Sequence, residues 1–180
     1  MAPGGFVSLG RFRLGFGFKV LHMLLNSLFH SLSVNWLGRD FVVGDVHGHK
    51  ALLEALLKSV NFNPSRDRLI ALGDLIDRGP DSRAVLEMVR DEPWFHSLRG
   101  NHDAMFKGSI SDWAVERAWR RNGGKWIDSV PMPARRELAS IVDGMPLSMT
   151  VDLADGRKVG LVHAELHVNH TWEALTGLSN

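Results

Sequence analysis

The sequence predicts an α/β fold in which parallel strands present a binding site at their carboxyl edge. Short apolar runs alternate with amphipathic helical segments from Gly38 onward. Three of these runs end directly in polar blocks, GDVHGH (residues 44–49), GDLIDRG (73–79) and RGNHD (99–103). Because the carboxyl ends of neighbouring parallel strands share one edge of a sheet, we expect the carboxylates, imidazoles and amide of these blocks to meet there.

The elements of the first half follow from apolar spacing. Uninterrupted apolar runs predict buried strands at residues 41–43 and 69–72. Leucines on one face predict a helix at 50–60, and a polar start followed by spaced apolar residues predicts another at 81–90. Pro64 disfavours helix in the residue before it, so the first helix ends ahead of the second strand.

The second half predicts a third strand, three helices and a closing hairpin. Two glycines at 123–124 break the chain between helices, and an Asp-Gly pair at 155–156 is typical of a hairpin turn. The predicted elements are a strand at 94–98, helices at 103–107, 112–121 and 133–143, and hairpin strands at 149–153 and 158–163.

The composition is that of an ordinary globular chain with no bias towards nucleic acid. The 180 residues are enough for one domain with a sizeable core, and 44% are hydrophobic and 23% charged. A formal net charge of +1 predicts neither nucleic-acid binding nor attraction to anionic membranes. The chain has no cysteine, which excludes disulfides and thiolate metal sites; this agrees with a reducing compartment, although a secreted chain can also lack cysteine. We therefore expect a cytoplasmic protein.

Residues 1–37 differ from the rest and are expected to form an amino-terminal extension. Arg11, Arg13 and Lys19 precede a mostly apolar run from Val20 to Leu37. A basic start before an apolar run can mark a targeting or membrane segment, but polar residues interrupt this run. A helical face favours an amphipathic helix or a frayed extension instead, and its members are Leu21, Leu24, Leu25 and Leu28.

The residue types in the three polar blocks predict a metal site. Carboxylate, imidazole and amide groups are hard or borderline donors, and such donors gathered at one sheet edge suit a pair of divalent cations. Asp45 and His47 stand at i and i+2, so both project from one side of an extended segment. Asp74 has two oxygens and can bridge two cations. The blocks therefore predict a two-metal phosphoester hydrolase.

The blocks also resemble those of a known family. GDVHG, GDLIDRG and RGNHD resemble the phosphoprotein phosphatase branch of the calcineurin-like metallophosphoesterases, above all bacterial and phage serine/threonine phosphatases of the lambda type. NGGKW (122–126) and VHAE (162–165) resemble further pieces of that branch, in the expected order. The resemblance covers roughly residues 38–165 and implies a β-sandwich flanked by helices, with 38–180 as the catalytic domain.

The resemblance implies two divalent ions, with manganese the first choice and iron or zinc as alternatives. Asp45 and His47 would hold the first ion, and Asp74 would bridge both. Asn101 and His163 would bind the second ion.

The resemblance also implies how the reaction runs. A hydroxide bridging the metals would attack phosphorus in line, and His102 would protonate the leaving alcohol with Asp77 orienting it. Arg78 and Arg99 would grip the phosphate oxygens, for which guanidinium groups are well shaped. The substrate would be a phosphorylated protein or a small phosphoester.

Plainer interpretations stay open for several of these residues. Arg78 and Arg99 can be surface ion-pair residues. His167 and His170 follow His163 closely and compete with it as ligands, although the position of His163 at the end of an apolar strand favours it. The tryptophans are interpreted as packing residues rather than as a substrate platform: Trp94, Trp113, Trp119 and Trp126.

The chain departs from the family pattern after His163. The pattern calls for a further Gly-His-Thr-like block and an arginine before it, and neither occurs before Asn180. We therefore expect a domain that is incomplete at its carboxyl end, with a weakened second metal site. Two alternative functions follow. One is a bis(5′-nucleosyl)-tetraphosphatase, which Asp103 favours slightly and Asp77 and NGGKW disfavour, and the other is an inactive, truncated family member.

Overall fold

The computed structural model describes residues 28–165 and Trp172. The predictions for residues 1–27 and for His167 and His170 lie outside the described residues.

Strands β2 (Asp40–Val43), β3 (Arg68–Ala71) and β4 (Phe95–Ser97) form one sheet in the order β2-β3-β4. All of its pairs are parallel, with Val43 opposite Ala71 and Ala71 opposite Ser97. All three predicted strands are thereby confirmed, the third one shorter than expected, but the prediction that β2 is buried is wrong, because it forms an edge of this sheet and Val42 is exposed. Their carboxyl ends lie at one edge, directly before the three polar blocks.

A second sheet combines the predicted hairpin with an unpredicted strand. Strands β5 (Ser148–Asp152) and β6 (Lys158–Val162) pair antiparallel, as expected, and β1 (Phe29–Leu32) pairs parallel to β5. The expectation of a helix or frayed extension up to Leu37 is therefore wrong for residues 29–32. Pairing with a strand far along the chain decides the conformation of this segment, and no local pattern reveals such a partner.

Within residues 28–165, five α-helices and one 3₁₀ helix connect the strands. None of the helices that the structure describes is long and apolar enough to cross a membrane. The helix expected at 103–107 already begins at Asn101, which places the third polar block in its first turn. The elements are α1 (Lys50–Ser59), α2 (Ser82–Asp91), α3 (Asn101–Ser109), α4 (Trp113–Arg121), the 3₁₀ helix (Gly124–Ser129) and α5 (Met132–Gly144).

Strand β3 contributes to two apolar cores. Leu69 and Ala71 pack in the cluster that β3 shares with the helices, whereas Ile70 packs in a second cluster with residues of the other sheet. This alternation follows from the two-residue period of a strand. The second cluster joins the two sheets face to face and confirms the predicted sandwich with flanking helices; its buried members are Leu32, Ile70, Leu98, Met149, Val151 and Leu161.

Two ion pairs close the amino end of the parallel sheet. Arg39 Nη2 donates to Asp67 Oδ2 at 2.7 Å, and Arg68 Nε donates to Asp40 Oδ1 at 2.7 Å. The carboxylate of Asp67 is buried and also accepts the backbone N–H of Asn63 at 2.9 Å. The hydrogen bond from Arg39 holds the pKa of Asp67 well below its usual range, against the effect of burial. Both carboxylates at this end are thus neutralised by an arginine.

Candidate functional site

The loops after β2 and β3 are bound to each other through their backbones. His47 N donates to Asp74 O at 2.9 Å, and Gly48 N donates to Leu75 O at 2.7 Å. Gly79 N donates back to His47 O at 2.8 Å. These bonds fix the first two polar blocks relative to each other, so their side chains are placed by a rigid frame.

The same loops hold side chains in a strained backbone conformation. Among the described residues, five other than glycine have positive φ, and one of them, Asn61, lies after α1. The other four belong to the first two polar blocks: His47 (46°), Asp74 (49°), Asp77 (75°) and Arg78 (66°). Such conformations cost roughly 1–3 kcal/mol each and concentrate at functional sites.

A glycine brings the third polar block against the second. A Cβ built on Gly100 would collide with the backbone nitrogen and the carboxylate of Asp74. Without that atom, the amino end of α3 approaches closely, and His102 N donates to Asp74 Oδ1 at 2.9 Å. The positive end of the helix dipole therefore faces a buried carboxylate, which it stabilises.

Two imidazoles are oriented by backbone carbonyls towards Asp74. His47 Nδ1 lies 2.9 Å from Ile76 O, and His163 Nδ1 lies 2.9 Å from Leu72 O. A carbonyl oxygen only accepts, so each Nδ1 carries a proton, and in the neutral imidazole each Nε2 then keeps its lone pair. His163 Nε2 is 3.5 Å from Asp74 Oδ1, and His47 Nε2 is 4.0 Å from Asp74 Oδ2. This tautomer, held by a second partner, is the one that binds metals.

Five predicted ligands come together in two groups that share Asp74. In the first, Asp45 Oδ2 lies 3.7 Å from His47 Nε2. In the second, Asn101 Oδ1 lies 3.0 Å from His163 Nε2. Oxygen and nitrogen donors with no sulfur suit borderline and hard divalent ions, so these residues fit a pair of such ions around Asp74.

His102, the predicted proton donor, adjoins this cluster. Its Nδ1 lies 2.6 Å from Oδ2 of the fully buried Asp77. Ligand atoms of His102, His47 and Asp74 all lie within 4.8 Å of one another. The structure therefore brings the expected imidazole–carboxylate pair beside the expected metal ligands.

Sequence reasoning missed two partners of Asp77. Trp119 Nε1 donates to Oδ2 and Trp126 Nε1 to Oδ1, each at 2.8 Å. Both tryptophans were interpreted as packing residues, and their rings do pack against Phe106. A signal was available, because a buried indole N–H requires an acceptor.

Arg78 lies exposed at the mouth of the cluster. Its Nη1 is 2.7 Å from His47 Nε2 and its Nη2 is 3.2 Å from His102 Nε2. A guanidinium only donates, so both Nε2 atoms act as acceptors here. The guanidinium group of Arg78 therefore lies beside two of the three imidazoles, those of His47 and His102.

Arg99 is not brought to this cluster. Its Nε donates to Val142 O at 3.0 Å, and its Nη2 donates at 2.9 Å to the carbonyls of Asp143 and Met145. These carbonyls lie at the end of α5, where helix carbonyls lack intrahelical partners. The placement argues against the predicted phosphate contact, because these guanidinium nitrogens are already committed.

The side chain of Asp103 links the second and third polar blocks. Its buried carboxylate accepts from Gly100 N at 2.9 Å and from Leu75 N at 3.1 Å. Burial raises the pKa of Asp103 to about 6, with the nearby charge of Asp74 adding to the effect. Asp103 is thus a structural acceptor rather than a substrate contact.

A family model described as calcineurin-like phosphoesterase matches residues 41–180. The chain belongs to this family. The match contains all three polar blocks and His163. The family confirms the resemblance seen in the sequence.

Curated relatives of this calcineurin-like phosphoesterase include two kinds of hydrolase. "Serine/threonine-protein phosphatase 1" of Salmonella typhimurium is 42% identical over 93 residues, which is 52% of this chain and 42% of the relative. A symmetrical bis(5′-nucleosyl)-tetraphosphatase of Delftia acidovorans is 34% identical over 127 residues, covering 69% of this chain and 43% of the relative. The chain thus spans less than half the length of both relatives.

Solved structures agree on the fold. A crystal structure described as a diadenosine tetraphosphatase matches with a TM-score of 0.61 and 28% identity, over 80% of this chain and 58% of the other. A serine/threonine phosphatase from Saccharomyces cerevisiae matches with a TM-score of 0.56 at 17% identity, covering 88% of this chain and 50% of the other. The second likeness shows the fold alone.

Proposed function

We propose that this chain is a metal-dependent phosphoester hydrolase, and more specifically a protein serine/threonine phosphatase. One observation supports the proposal most strongly: two imidazoles present unprotonated Nε2 atoms towards the shared carboxylate Asp74, each with its Nδ1 held by a carbonyl. Side chains that serve only packing do not need this tautomer at a common point.

The residues would hold two divalent ions. Asp45, His47 and Asp74 would bind one, and Asp74, Asn101 and His163 the other. Manganese is the first choice and iron or zinc the alternatives, because the donors are imidazole, carboxylate and amide. When bound, a pair of ions lowers the pKa of a water and neutralises charge on the phosphoryl group.

The protein's own groups supply recognition and proton transfer. Arg78 now donates to two neutral nitrogens, and a phosphoryl group offers it charged oxygens, which form stronger hydrogen bonds with guanidinium. His102 keeps one proton at Nδ1 against Asp77, and its Nε2, which here accepts from Arg78, can carry another once Arg78 donates to the phosphoryl group instead. We assign it the delivery of a proton to the leaving alcohol, as a general acid.

The choice of a phosphoprotein substrate rests on the relatives and on two sequence features. Relatives named as serine/threonine-protein phosphatases reach 42% and 43% identity over about half of this chain. The GDLIDRG and NGGKW blocks resemble that branch. A cytoplasmic location is part of the same proposal, based on the absence of cysteine from the chain.

The test is hydrolysis of p-nitrophenyl phosphate by the purified chain, with and without added manganese. We expect manganese-dependent turnover that falls by about 100-fold or more in Asp74→Asn, since one oxygen of the shared ligand is lost. Asp155→Asn is the matched control, because it removes an exposed carboxylate in the β5–β6 turn. A folded chain that binds manganese in calorimetry without turnover would contradict the proposal and identify an inactive family member.

A second candidate function is hydrolysis of dinucleoside polyphosphates. It is favoured by the relative from Delftia acidovorans, which covers 69% of this chain, and by the 28% identical solved structure. Comparing kcat/KM for a phosphoserine peptide and for diadenosine tetraphosphate separates the two. Asp103 does not decide between them, because its carboxylate is buried in the first turn of α3, where it accepts from Gly100 N.

A further inference from the structure

The carboxylate of Asp77 receives more donors than its pairing with His102 requires. Its Oδ2 accepts from His102 Nδ1 at 2.6 Å and from Trp119 Nε1 at 2.8 Å, while Oδ1 accepts from Trp126 Nε1 at 2.8 Å. Asp77 has no exposed surface. Donors on both oxygens fix the plane of the carboxylate, and with it the direction in which the imidazole of His102 is held.

The backbone between the two tryptophans adopts a turn that allows both indole N–H groups to reach Asp77. Trp119 lies in α4 and Trp126 in the 3₁₀ helix, and Gly123 between them has a φ of 114°. A Cβ on Gly123 would lie 3.0 Å from Asp77 Cβ, and one on Gly124 would overlap the ring of Trp119. The two indole rings meet edge to face at 6.1 Å. The turn therefore docks the pair as one rigid unit.

We infer that Trp119 and Trp126 are positioning residues for the proton donor His102, an inference that rests on the proposed function. An indole N–H only donates, so neither ring competes for the proton that His102 transfers. A role in packing alone would need the rings but not a common acceptor. Here both N–H groups meet the one carboxylate that orients His102.

The test compares two substrates in Trp119→Phe and Trp126→Phe, which keep an aromatic ring and remove the N–H. Phenolate is strongly basic and leaves well only when protonated, whereas p-nitrophenolate leaves without a proton. We expect kcat for phenyl phosphate to fall about tenfold or more in each variant, part of the full contribution of a general acid. For p-nitrophenyl phosphate, kcat and KM should change less than about threefold, since that reaction needs little protonation.

Trp94→Phe is the matched control. Trp94 Nε1 donates to Glu92 Oε2 at 2.8 Å, so this variant also removes an indole–carboxylate hydrogen bond, but one outside the donor cluster. It should leave both substrates at wild-type rates. If Trp119→Phe and Trp126→Phe slow both substrates in parallel, or slow neither, the tryptophans serve packing only and the inference is overturned.

A second measurement separates this inference from the proposed function. If the wild-type chain hydrolyses neither substrate, the proposed function fails, and positioning is read from the proton resonance of His102 Nδ1–H. A 2.6 Å hydrogen bond to Asp77 should shift this resonance downfield, and its loss in Asp77→Asn assigns it. We expect it to move upfield in both tryptophan variants. An unchanged frequency would overturn the inference.

Discussion

The carboxylates at the two ends of the parallel sheet have different partners. At the amino end, Asp40 and Asp67 each accept from a guanidinium at 2.7 Å. At the carboxyl end, Asp45 and Asp74 have no arginine or lysine nitrogen within 4.0 Å in the part of the chain that the structure describes, and their nearest charged or titratable partners are imidazoles. The same three strands thus carry neutralised carboxylates at one edge and unneutralised ones at the other.

The difference separates stability from function along one sheet. The ion pairs at the amino end stabilise the fold, and their carboxylates are already neutralised, so they offer no charge to a ligand. The other end holds negative charge in a strained backbone, where His47, Asp74, Asp77 and Arg78 all have positive φ. Such an arrangement costs free energy in the isolated protein, and the proposed binding of cations would offset this cost. Four predictions follow this contrast, from the largest effect to the smallest.

Gly100→Ala should disrupt the packing of the loops at the carboxyl end of the parallel sheet. The added methyl group would collide with the backbone nitrogen of Asp74, which cannot move without displacing the loop after β3. We expect a loss of about 3 kcal/mol or more in the free energy of unfolding, measured by urea denaturation. Gly144→Ala is the control, since a Cβ there meets nothing within 4 Å. Equal stability of the two variants would contradict the close approach.

Manganese should stabilise the carboxyl end. At 100 times its dissociation constant, a ligand that binds only the folded state adds about 2.7 kcal/mol, which appears as a higher Tm. Asp74→Asn should abolish the rise and Asp155→Asn should retain it. A rise of equal size in Asp74→Asn would show that manganese binds elsewhere.

Substitutions of Arg99 and of Arg78 should have different effects on stability and on KM. Arg99→Ala removes donors to three carbonyls at the end of α5 and should cost about 1–2 kcal/mol of stability, with KM unchanged. Arg78→Ala should leave stability nearly unchanged and raise KM for p-nitrophenyl phosphate about tenfold, from the loss of charged hydrogen bonds to phosphate. A raised KM in Arg99→Ala would restore its predicted phosphate contact.

At the amino end the effect on stability should depend on pH. The pKa of Asp67 is depressed in the folded state, so its stabilising contribution is full above the unfolded pKa of about 3.9 and is lost as pH falls below it. Asp67→Asn should therefore be less stable than wild type at pH 7, and the gap should narrow below about pH 4. A gap in Tm that stays constant from pH 7 to about pH 3 would contradict this assignment.

The sequence predicted the features that depend on neighbouring residues. Strands β2 and β3, the hairpin, most helices and the meeting of Asp45, His47, Asp74 and Asn101 follow from local patterns and from the shared edge of parallel strands. These predictions succeed because each strand of that sheet pairs with the next one along the chain. His163 follows a strand of the other sheet, and its place in the cluster was expected only from the family resemblance.

Features that depend on distant partners escaped prediction. Residues 29–32 form a strand because β5 lies beside them, and Arg99 contacts the end of α5 because that helix packs nearby. Likewise, the acceptor shared by Trp119 and Trp126 is known only once α4 and the 3₁₀ helix are placed over Asp77. For Arg99, Trp119 and Trp126 the sequence shows the donor but not the acceptor, and for residues 29–32 it shows neither the strand nor its partner, because tertiary structure determines both.

The parallel pairing of β1 with β5 has a consequence for the order of folding. In the other sheet, each strand pairs with the next strand along the chain. Strand β1 pairs with β5, which is far along the chain, so this pairing forms only after β5 has been synthesised. Contacts of long sequence separation form late, because closing a long loop costs entropy before the contact is made. We therefore expect Asp45, His47 and Asp74 to assemble first, with His163 arriving last at the end of β6 and completing the second donor group only as the sandwich closes.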